Sequence, residues 1–283
     1  MINSAIRPAV FGMFLSLLAL STALFPSPAN AADRARIEAS LEVTGVDVAL
    51  DSIALSASGA PEMLGMNTSD FGSQWSRLAN EVFDTDGMRN LALEILEKTL
   101  DDESLDHAAE FYASDLGQRL VRAENASHMI EDDLVREEAG YRIVSDLVRA
   151  GSQRVTQYKR MEGVLDSTGN WVRAVQEVQF RFLMAAATAG VIELEADADE
   201  LRALLDAQEG ELRLSLQASG LASNAYTYQG FTDEEVEAYI EALEQPQMQR
   251  VYELFNAVQF EITANRFEEL AHRMADLMPG QDI

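Results

Sequence analysis

The chain has 283 residues, of which 48 are acidic and 21 basic, and it carries a formal net charge of −27 at pH 7 and no cysteine. This charge repels phosphate backbones and anionic lipids, which excludes general binding to nucleic acid or to membrane surfaces. The lack of cysteine excludes disulfides, thiolate metal sites and cysteine nucleophiles, so the fold depends on a buried apolar core.

The first 31 residues have the order of an export signal. Arg7 is followed by an apolar run from Val10 to Leu24 and then by the small-residue site Ala29-Asn30-Ala31. The run is short for a helix that spans a bilayer, and the cleavage pattern comes directly after it. We therefore predict a signal peptide at residues 1–31 and a periplasmic or secreted mature protein that is not bound to a membrane. An uncleaved membrane anchor is the alternative.

Apolar residues then recur at helical spacing through nearly the whole chain, and no long segment alternates with period two. This pattern predicts an all-α fold. Two short helices meet at Thr44-Gly45, where glycine suits the left-handed turn after a helix. Residues 58–70 are rich in turn formers and are predicted to be a loop. One helix then passes through Trp75 and Val82, and another begins near Met88.

Residues 101–120, DDESLDHAAEFYASDLGQRL, are followed 131 positions later by a similar stretch, TDEEVEAYIEALEQPQMQRV, at residues 232–251. Identical residues at matching positions are Asp102 and Asp233, Glu103 and Glu234, Glu110 and Glu241, Gln118 and Gln249, and Arg119 and Arg250. Each copy has the pattern of a helix, a tight turn and a second helix. Capping signals, clearest in Thr232 with Glu235, start the first helices at residues 102 and 233.

The turns of the two copies differ in composition. Ser114 is a predicted helix cap in the first copy, while Pro246 occupies the favoured first helical position in the second. Gly117 permits a close backbone approach in the first copy, and Met248 replaces it in the second. We expect the two turns to be similar without being identical.

The remaining helices complete two halves. They are predicted at Met129 to Val148, with an extension to Leu165 left open, at Trp171 to Ala187, at Leu201 to Ser219 before Gly220, with Asp197 as cap, and from Val251 to Leu277. We predict that residues 32–150 and 151–283 form two related helical hairpin units. The units pack without a flexible linker into a helical bundle or short superhelix.

The segment Phe111-Tyr112-Ala113-Ser114-Asp115-Leu116-Gly117-Gln118-Arg119 carries a resemblance to a known family. It is similar to the mark of the exported bacterial proteins of domain-of-unknown-function family 2059: Phe-Tyr, Ser-Pro, Gly, Gln and a basic residue. Asp115 replaces the family's proline. The second copy is a degenerate form, with Pro246, Gln249 and Arg250 but no aromatic pair. The resemblance implies an exported, all-helical bacterial protein, and the family has no assigned function.

Glu103-Ser104 resembles the Glu-Ser pair of lytic transglycosylases, in which a glutamate in an apolar cleft donates a proton to a glycosidic oxygen. The glycine-rich continuation of those enzymes is absent here. Glu103 also stands in a predicted first helical turn and recurs as Glu234, which favours a role at the helix start. A cell-wall glycan hydrolase or lytic transglycosylase-like enzyme using Glu103 is therefore the alternative to a non-catalytic protein.

Metal sites have little support in the sequence. Glu269 and His272 have the i, i+3 spacing of carboxylate-bridged two-metal bundles, but that chemistry needs a second such pair. The acidic runs at residues 131–133 and 195–200 lack the ligand pattern of a calcium loop. We predict no catalytic residue, no metal and no cofactor.

Phe111, Tyr112, Tyr239 and Phe255 either belong to the core or line a partner groove between the halves. Our leading prediction is a non-catalytic, exported interaction or structural component of the bacterial cell envelope, with another envelope protein bound at this groove. A third possibility is a carrier of a small apolar ligand, held in a pocket between the halves.

Overall fold

The computed structural model describes residues 33–67, 71, 74–130, 132–166 and 169–277. The predicted signal peptide at residues 1–31 lies outside them. Throughout these residues the fold is all-α without strands, which confirms the predicted class. None of the described helices is long and apolar enough to cross a bilayer.

The helices are α1 Arg34–Thr44, α2 Val46–Ser56, α3 Ala60–Met63, α4 Gln74–Val82, α5 Thr85–Thr99, α6 Asp102–Ala113, α7 Asp115–His128, α8 Asp133–Arg149, α9 Arg154–Leu165, α10 Trp171–Thr188, α11 Ala198–Ala207, α12 Glu209–Thr227, α13 Asp233–Leu243 and α14 Pro246–Met274. Gly45 joins α1 to α2 with a φ of 76°, the predicted left-handed turn. The short helix α3 lies within the segment predicted as a loop.

Both similar segments form a helix, a tight turn and a second helix, and their first helices begin at the predicted residues. The Asp101 carboxylate accepts a hydrogen bond from the Ser104 backbone at 2.9 Å. Thr232 and Glu235 form a reciprocal capping box. These local bonds satisfy backbone donors that a helix start leaves unpaired.

The turn of the first hairpin, α6–α7, requires glycine at position 117. The Ser114 hydroxyl caps α7 by accepting from the Gly117 backbone at 3.1 Å. A Cβ atom at Gly117 would lie 2.3 Å from the Phe111 carbonyl oxygen. In the second hairpin, α13–α14, Pro246 is the first helical residue and Met248 is buried.

Two predicted helices have different bounds in the structure. The helix after Met129 ends at Arg149, where Gly151 adopts a φ of 62°, and the chain starts a separate helix at Arg154. Gly220 does not end a helix; it lies inside α12, where a Cβ would be 2.8 Å from a carboxylate oxygen of Glu162. This glycine therefore provides space for a neighbouring helix.

One hydrophobic core runs from Ile37 in α1 to Met274 in α14. The long helix α14 packs against α4, α5, α6 and α10, and α8 packs on the outside against α12. Because this core is shared by both predicted halves, the boundary near residue 150 stays a prediction. The shared core also brings side chains of both hairpins together.

Candidate functional site

A cluster of polar side chains lies where the two hairpins meet, and we call it the tyrosine cluster. Its members are Tyr112 on α6, Glu124 on α7, Tyr228 directly after α12, Tyr239 on α13 and Tyr252 on α14. All five elements must be packed for these side chains to meet. The cluster is therefore a product of the tertiary structure.

The Glu124 carboxylate is the acceptor at the centre of the cluster. Its Oε1 accepts hydrogen bonds from the Tyr228 hydroxyl at 2.8 Å and from the Tyr239 hydroxyl at 2.9 Å. The Tyr239 hydroxyl oxygen is also 3.0 Å from that of Tyr112 and 2.9 Å from that of Tyr252. The Tyr112 and Tyr252 hydroxyls are hydrogen-bonded to each other as well.

Burial controls the protonation of this cluster. It raises the pKa of the Glu124 carboxyl, and the hydrogen bonds from Tyr228 and Tyr239 offset part of that increase. Burial likewise raises the pKa of all four tyrosines. The hydroxyls therefore keep their protons at neutral pH and act as hydrogen-bond donors.

A cavity of about 270 Å³ borders the cluster between α2, α7, α12 and α14. Glu124, Tyr228, Tyr239, Tyr252 and Phe255 belong to its wall. Glu124 is partly accessible to solvent, whereas Tyr228 and Tyr239 are buried. Glu124 is thus the carboxyl group that the cluster contributes to the cavity wall.

His128 and Arg136 line the same cavity. Burial, and secondarily the nearby Arg136, lowers the pKa of the His128 imidazole. Arg136 donates a hydrogen bond to the Ser127 carbonyl oxygen at 3.3 Å. At neutral pH the cavity therefore combines a neutral imidazole, a guanidinium and one carboxyl group.

The four aromatic residues predicted to line a partner groove are covered by the fold. Tyr112, Tyr239 and Phe255 are 2%, 1% and 7% exposed, and Phe111 is partly buried, stacked on Tyr239 at 5.9 Å between ring centroids. These rings do not form the predicted open groove, because helices packed on both sides cover them. Tyr239 and Phe255 instead help to line the cavity.

The motif residues of the first copy hold the hairpins in place. The Gln118 side chain donates to the Tyr112 carbonyl oxygen at 2.8 Å. Arg119 pairs with Glu235 in α13, and its guanidinium lies 5.1 Å from the centre of the Phe231 ring. The motif therefore joins the first hairpin to the start of the second.

The corresponding residues of the second copy have different partners. Arg250 pairs with Glu253 one turn further along α14, at 3.1 Å. Gln249 and Pro246 lie in the first turn of that helix. Both segments therefore form two helices joined by a turn, but the side-chain contacts of the second differ from those of the first.

Glu103 lies on the surface, in the first turn of α6. It is exposed and accepts a hydrogen bond from the Gln247 side chain at 2.9 Å. It does not belong to the cavity wall, and it lacks the apolar surroundings that would hold a proton on a catalytic glutamate. This placement fits the helix-start role that its recurrence favours.

Glu269 and His272 lie in a surface cleft together with Arg181, Arg266 and Arg273. Arg181 pairs with Glu268 at 2.7 Å and Arg273 pairs with Glu81, so cationic groups already occupy this cleft. No cluster of three or more potential His, Asp or Glu metal ligands occurs in the described part of the chain. The acidic segment near residue 197 has a local role, since Asp197 caps α11 through a capping box with Glu200.

Sequence reasoning did not identify Glu124, Tyr228 or Tyr252. One signal was available: Glu124 follows Leu120 and Val121 at helical spacing, on the face of α7 that is buried. A carboxyl group on an apolar helix face requires a partner or a raised pKa. Tyr228 and Tyr252 gave no comparable signal, because they lie on two other elements, far from Glu124 in the chain.

Comparison with known proteins gives a family for one segment. Residues 86–146 match the family described as "Uncharacterized protein conserved in bacteria (DUF2059)". The match covers the first hairpin, including the Phe111-to-Arg119 motif and Glu124, whereas the second copy lies outside it. No curated protein and no solved structure matches the chain. Residues 86–146 are therefore similar to the bacterial domain-of-unknown-function family 2059, and this similarity covers the first hairpin.

Proposed function

We propose that this protein is an exported, non-catalytic component of the bacterial cell envelope that binds a small ligand in the cavity beside Glu124. The observation that carries the proposal is the carboxyl group of Glu124, held by two tyrosine hydroxyls, in the wall of a cavity between the hairpins. Export and envelope location rest on the leader-like sequence at residues 1–31 and on the bacterial family.

The chemistry of the cluster favours binding over catalysis. The raised pKa of each tyrosine keeps its hydroxyl protonated, so none is available as a base or nucleophile at neutral pH. Glycoside hydrolysis typically uses two carboxyl groups. Among the described residues that line the cavity, Glu124 is the one carboxyl group.

Glycan hydrolysis through Glu103 has less support, because the carboxylate is exposed and bonded to Gln247. Incubation of the mature protein and of Glu103→Gln with purified peptidoglycan tests it directly. We expect no soluble fragments from either protein. Fragments released by the wild type and absent with the variant would establish the enzyme and overturn the non-catalytic proposal.

Native mass spectrometry of the mature protein, purified without denaturation, tests the binding proposal. We expect a retained small molecule that is lost when Ala49→Leu or Ser223→Leu fills the cavity. Ala126→Leu is the matched control, because Ala126 is an exposed residue of α7. A ligand-free wild type, whose melting temperature no compound in a metabolite library raises, would contradict the proposal.

A protein partner is the second candidate, at a different surface. Leu134, Tyr141 and Val148 are exposed and follow one another at intervals of seven on the outer side of α8. A photo-crosslinking residue at position 141 should capture a defined envelope protein in cells, and Leu134→Ser with Val148→Ser should abolish the product. The same crosslinker at exposed Glu110 is the control. Equal capture at both positions would contradict this candidate.

A further inference from the structure

The tyrosine cluster uses its own hydroxyl protons. Tyr228 and Tyr239 each donate to Oε1 of Glu124. Two hydroxyl protons remain, those of Tyr112 and Tyr252. They serve the three hydroxyl–hydroxyl contacts among Tyr112, Tyr239 and Tyr252. Each hydroxyl proton therefore has an acceptor inside the cluster, and the cluster has no donor left for a ligand.

One hydrogen-bond acceptor of the cluster, by contrast, lacks a donor in the described part of the chain. Oε2 of Glu124 has no hydrogen-bond partner among the described residues, and the residue is partly accessible. A carboxylate oxygen without a partner at a partly buried position carries a desolvation cost, which a cation would remove. Tyr228, Tyr239, Tyr252 and Phe255 add aromatic rings, whose faces attract cations.

The other charged and titratable groups of the cavity wall are compatible with a cation. Arg136, from α8, already donates to the carbonyl oxygen of Ser127. His128, from α7, has a lowered pKa and is neutral at pH 7. The net charge of −27 attracts cations towards the protein as a whole. An anion would meet the Arg136 guanidinium but would also face the Glu124 carboxyl group and the ring faces.

From this donor and acceptor pattern we infer that the cavity binds a small organic cation with N–H donors, such as a primary alkylammonium, with Oε2 of Glu124 as its acceptor. This inference rests on the proposed binding function and names the ligand class of the same site. The cavity volume of about 270 Å³ lies just below the range of about 300–1,000 Å³ that is common for drug-sized ligands. Small amines therefore fit better than lipids or peptides.

Isothermal titration calorimetry of the mature full chain at pH 7.5 tests the inference with four probes. n-Butylamine supplies a charged donor, 1-butanol a neutral chain and butyrate the opposite charge, while choline supplies a cation without N–H groups. We expect n-butylamine to bind at least tenfold more tightly than each of the other three. Ser223→Leu, which fills the cavity, should abolish that binding.

Glu124→Gln should weaken n-butylamine binding at least tenfold, because the amide has no charge. The control is Glu110→Gln, which removes an exposed carboxylate on α6 and should leave the affinity unchanged. Circular dichroism and thermal melting check that both variants are folded. If Glu124→Gln does not fold, titration of the wild type from pH 8 to pH 5 replaces it. Affinity should fall on acidification, because burial raises the pKa of the Glu124 carboxyl, and its protonation removes the negative charge while the amine stays charged.

The outcomes separate the inference from the proposed function. Cavity-dependent binding of 1-butanol or butyrate that equals or exceeds that of n-butylamine would overturn the cation inference and leave the binding function in place. Unchanged n-butylamine binding by folded Glu124→Gln, or in the pH series, would overturn the inference in the same way. If no probe binds and the purified protein retains no molecule, both proposals fail.

Discussion

The Tyr239 hydroxyl lies 2.9 Å from Oε1 of Glu124, although the two residues are 115 positions apart and belong to different hairpins. The bond connects α13 to α7 in surroundings where burial raises the pKa of both groups. A satisfied polar network of this kind fixes one arrangement of the surrounding helices, because a displaced helix would leave polar groups unpaired. The cluster therefore couples the cavity beside Glu124 to the packing of the two hairpins.

Tyr239→Phe should lower the free energy of unfolding by about 1–3 kcal/mol, because Glu124 loses a donor and the ring keeps its shape. Urea unfolding followed by circular dichroism measures the change. Tyr141→Phe is the matched control, since the Tyr141 hydroxyl bonds to Glu137 at an exposed position and its loss should cost less than about 0.5 kcal/mol. Equal losses in both variants would show that the cluster does not contribute through its hydrogen bonds.

Glycine-to-alanine substitutions should have opposite effects at two kinds of site. A Cβ at Gly140 would lie 2.2 Å from the Ala222 carbonyl oxygen, where α8 meets α12, and Gly117 is equally crowded. Gly117→Ala and Gly140→Ala should each cost about 1–3 kcal/mol. Gly163→Ala, inside α9 with no atom within 4 Å of the new Cβ, should gain about 0.5–1 kcal/mol. Thermal unfolding distinguishes these outcomes, and stabilisation by Gly140→Ala would contradict the packing of α8 on α12.

Arg154→Lys should destabilise the second hairpin by about 2 kcal/mol. The buried guanidinium donates to Asp233 at 2.7 Å and to the Phe231 carbonyl oxygen at 2.8 Å, and lysine cannot reproduce this fork. Arg149→Lys, on the exposed side of α8, is the control and should change stability by less than about 0.5 kcal/mol. If the melting temperatures of the two variants agree, the fork is dispensable.

Glu162 should make stability depend on pH. Burial raises the pKa of its carboxyl from 4.5 to about 7, with a smaller opposing effect of Lys159. The folded state therefore holds a proton that the unfolded state releases above pH 4.5. The contribution of Glu162 to stability is therefore fully present below that pH and is lost as the pH rises through 7. The Glu162 side chain lines a second cavity. The other charged residues in the wall of that cavity are Lys159, Asp166 and Arg213.

Glu162→Gln should remove this dependence, since the amide does not ionise. At pH 8 the wild type carries a partly buried charge that the variant lacks, so the variant should be more stable. The difference should be about 1 kcal/mol, because solvent screens the partly exposed carboxylate. At pH 4.5 the two proteins should be equal. Urea unfolding at both pH values provides the test, with Glu110→Gln as an exposed control. A constant difference between variant and wild type from pH 4.5 to pH 8 would contradict the assignment.

The sequence by itself determined the all-α class and the starts of the two hairpins. Thr232 with Glu235, and Asp101 with the Ser104 backbone, act across three residues, so the chain around them contains the whole interaction. Gly117 was likewise readable, because its close contacts lie five and six residues away in the same hairpin. Local hydrogen bonds and local steric contacts leave this kind of signal in the sequence.

Only the tertiary structure decided where the candidate site lies. Glu124 lies on an apolar helix face, a signal that sequence reasoning did not use, and its partners Tyr228 and Tyr239 are more than 100 positions away. Periodicity identified Tyr112 and Phe255 as aromatic residues on helices and could not show which neighbour covers them. Whether a side chain is covered depends on the angle and distance between helices, and the role of Gly220 beside Glu162 depends on them too. Those quantities are fixed by the packing of the whole core and not by any one segment.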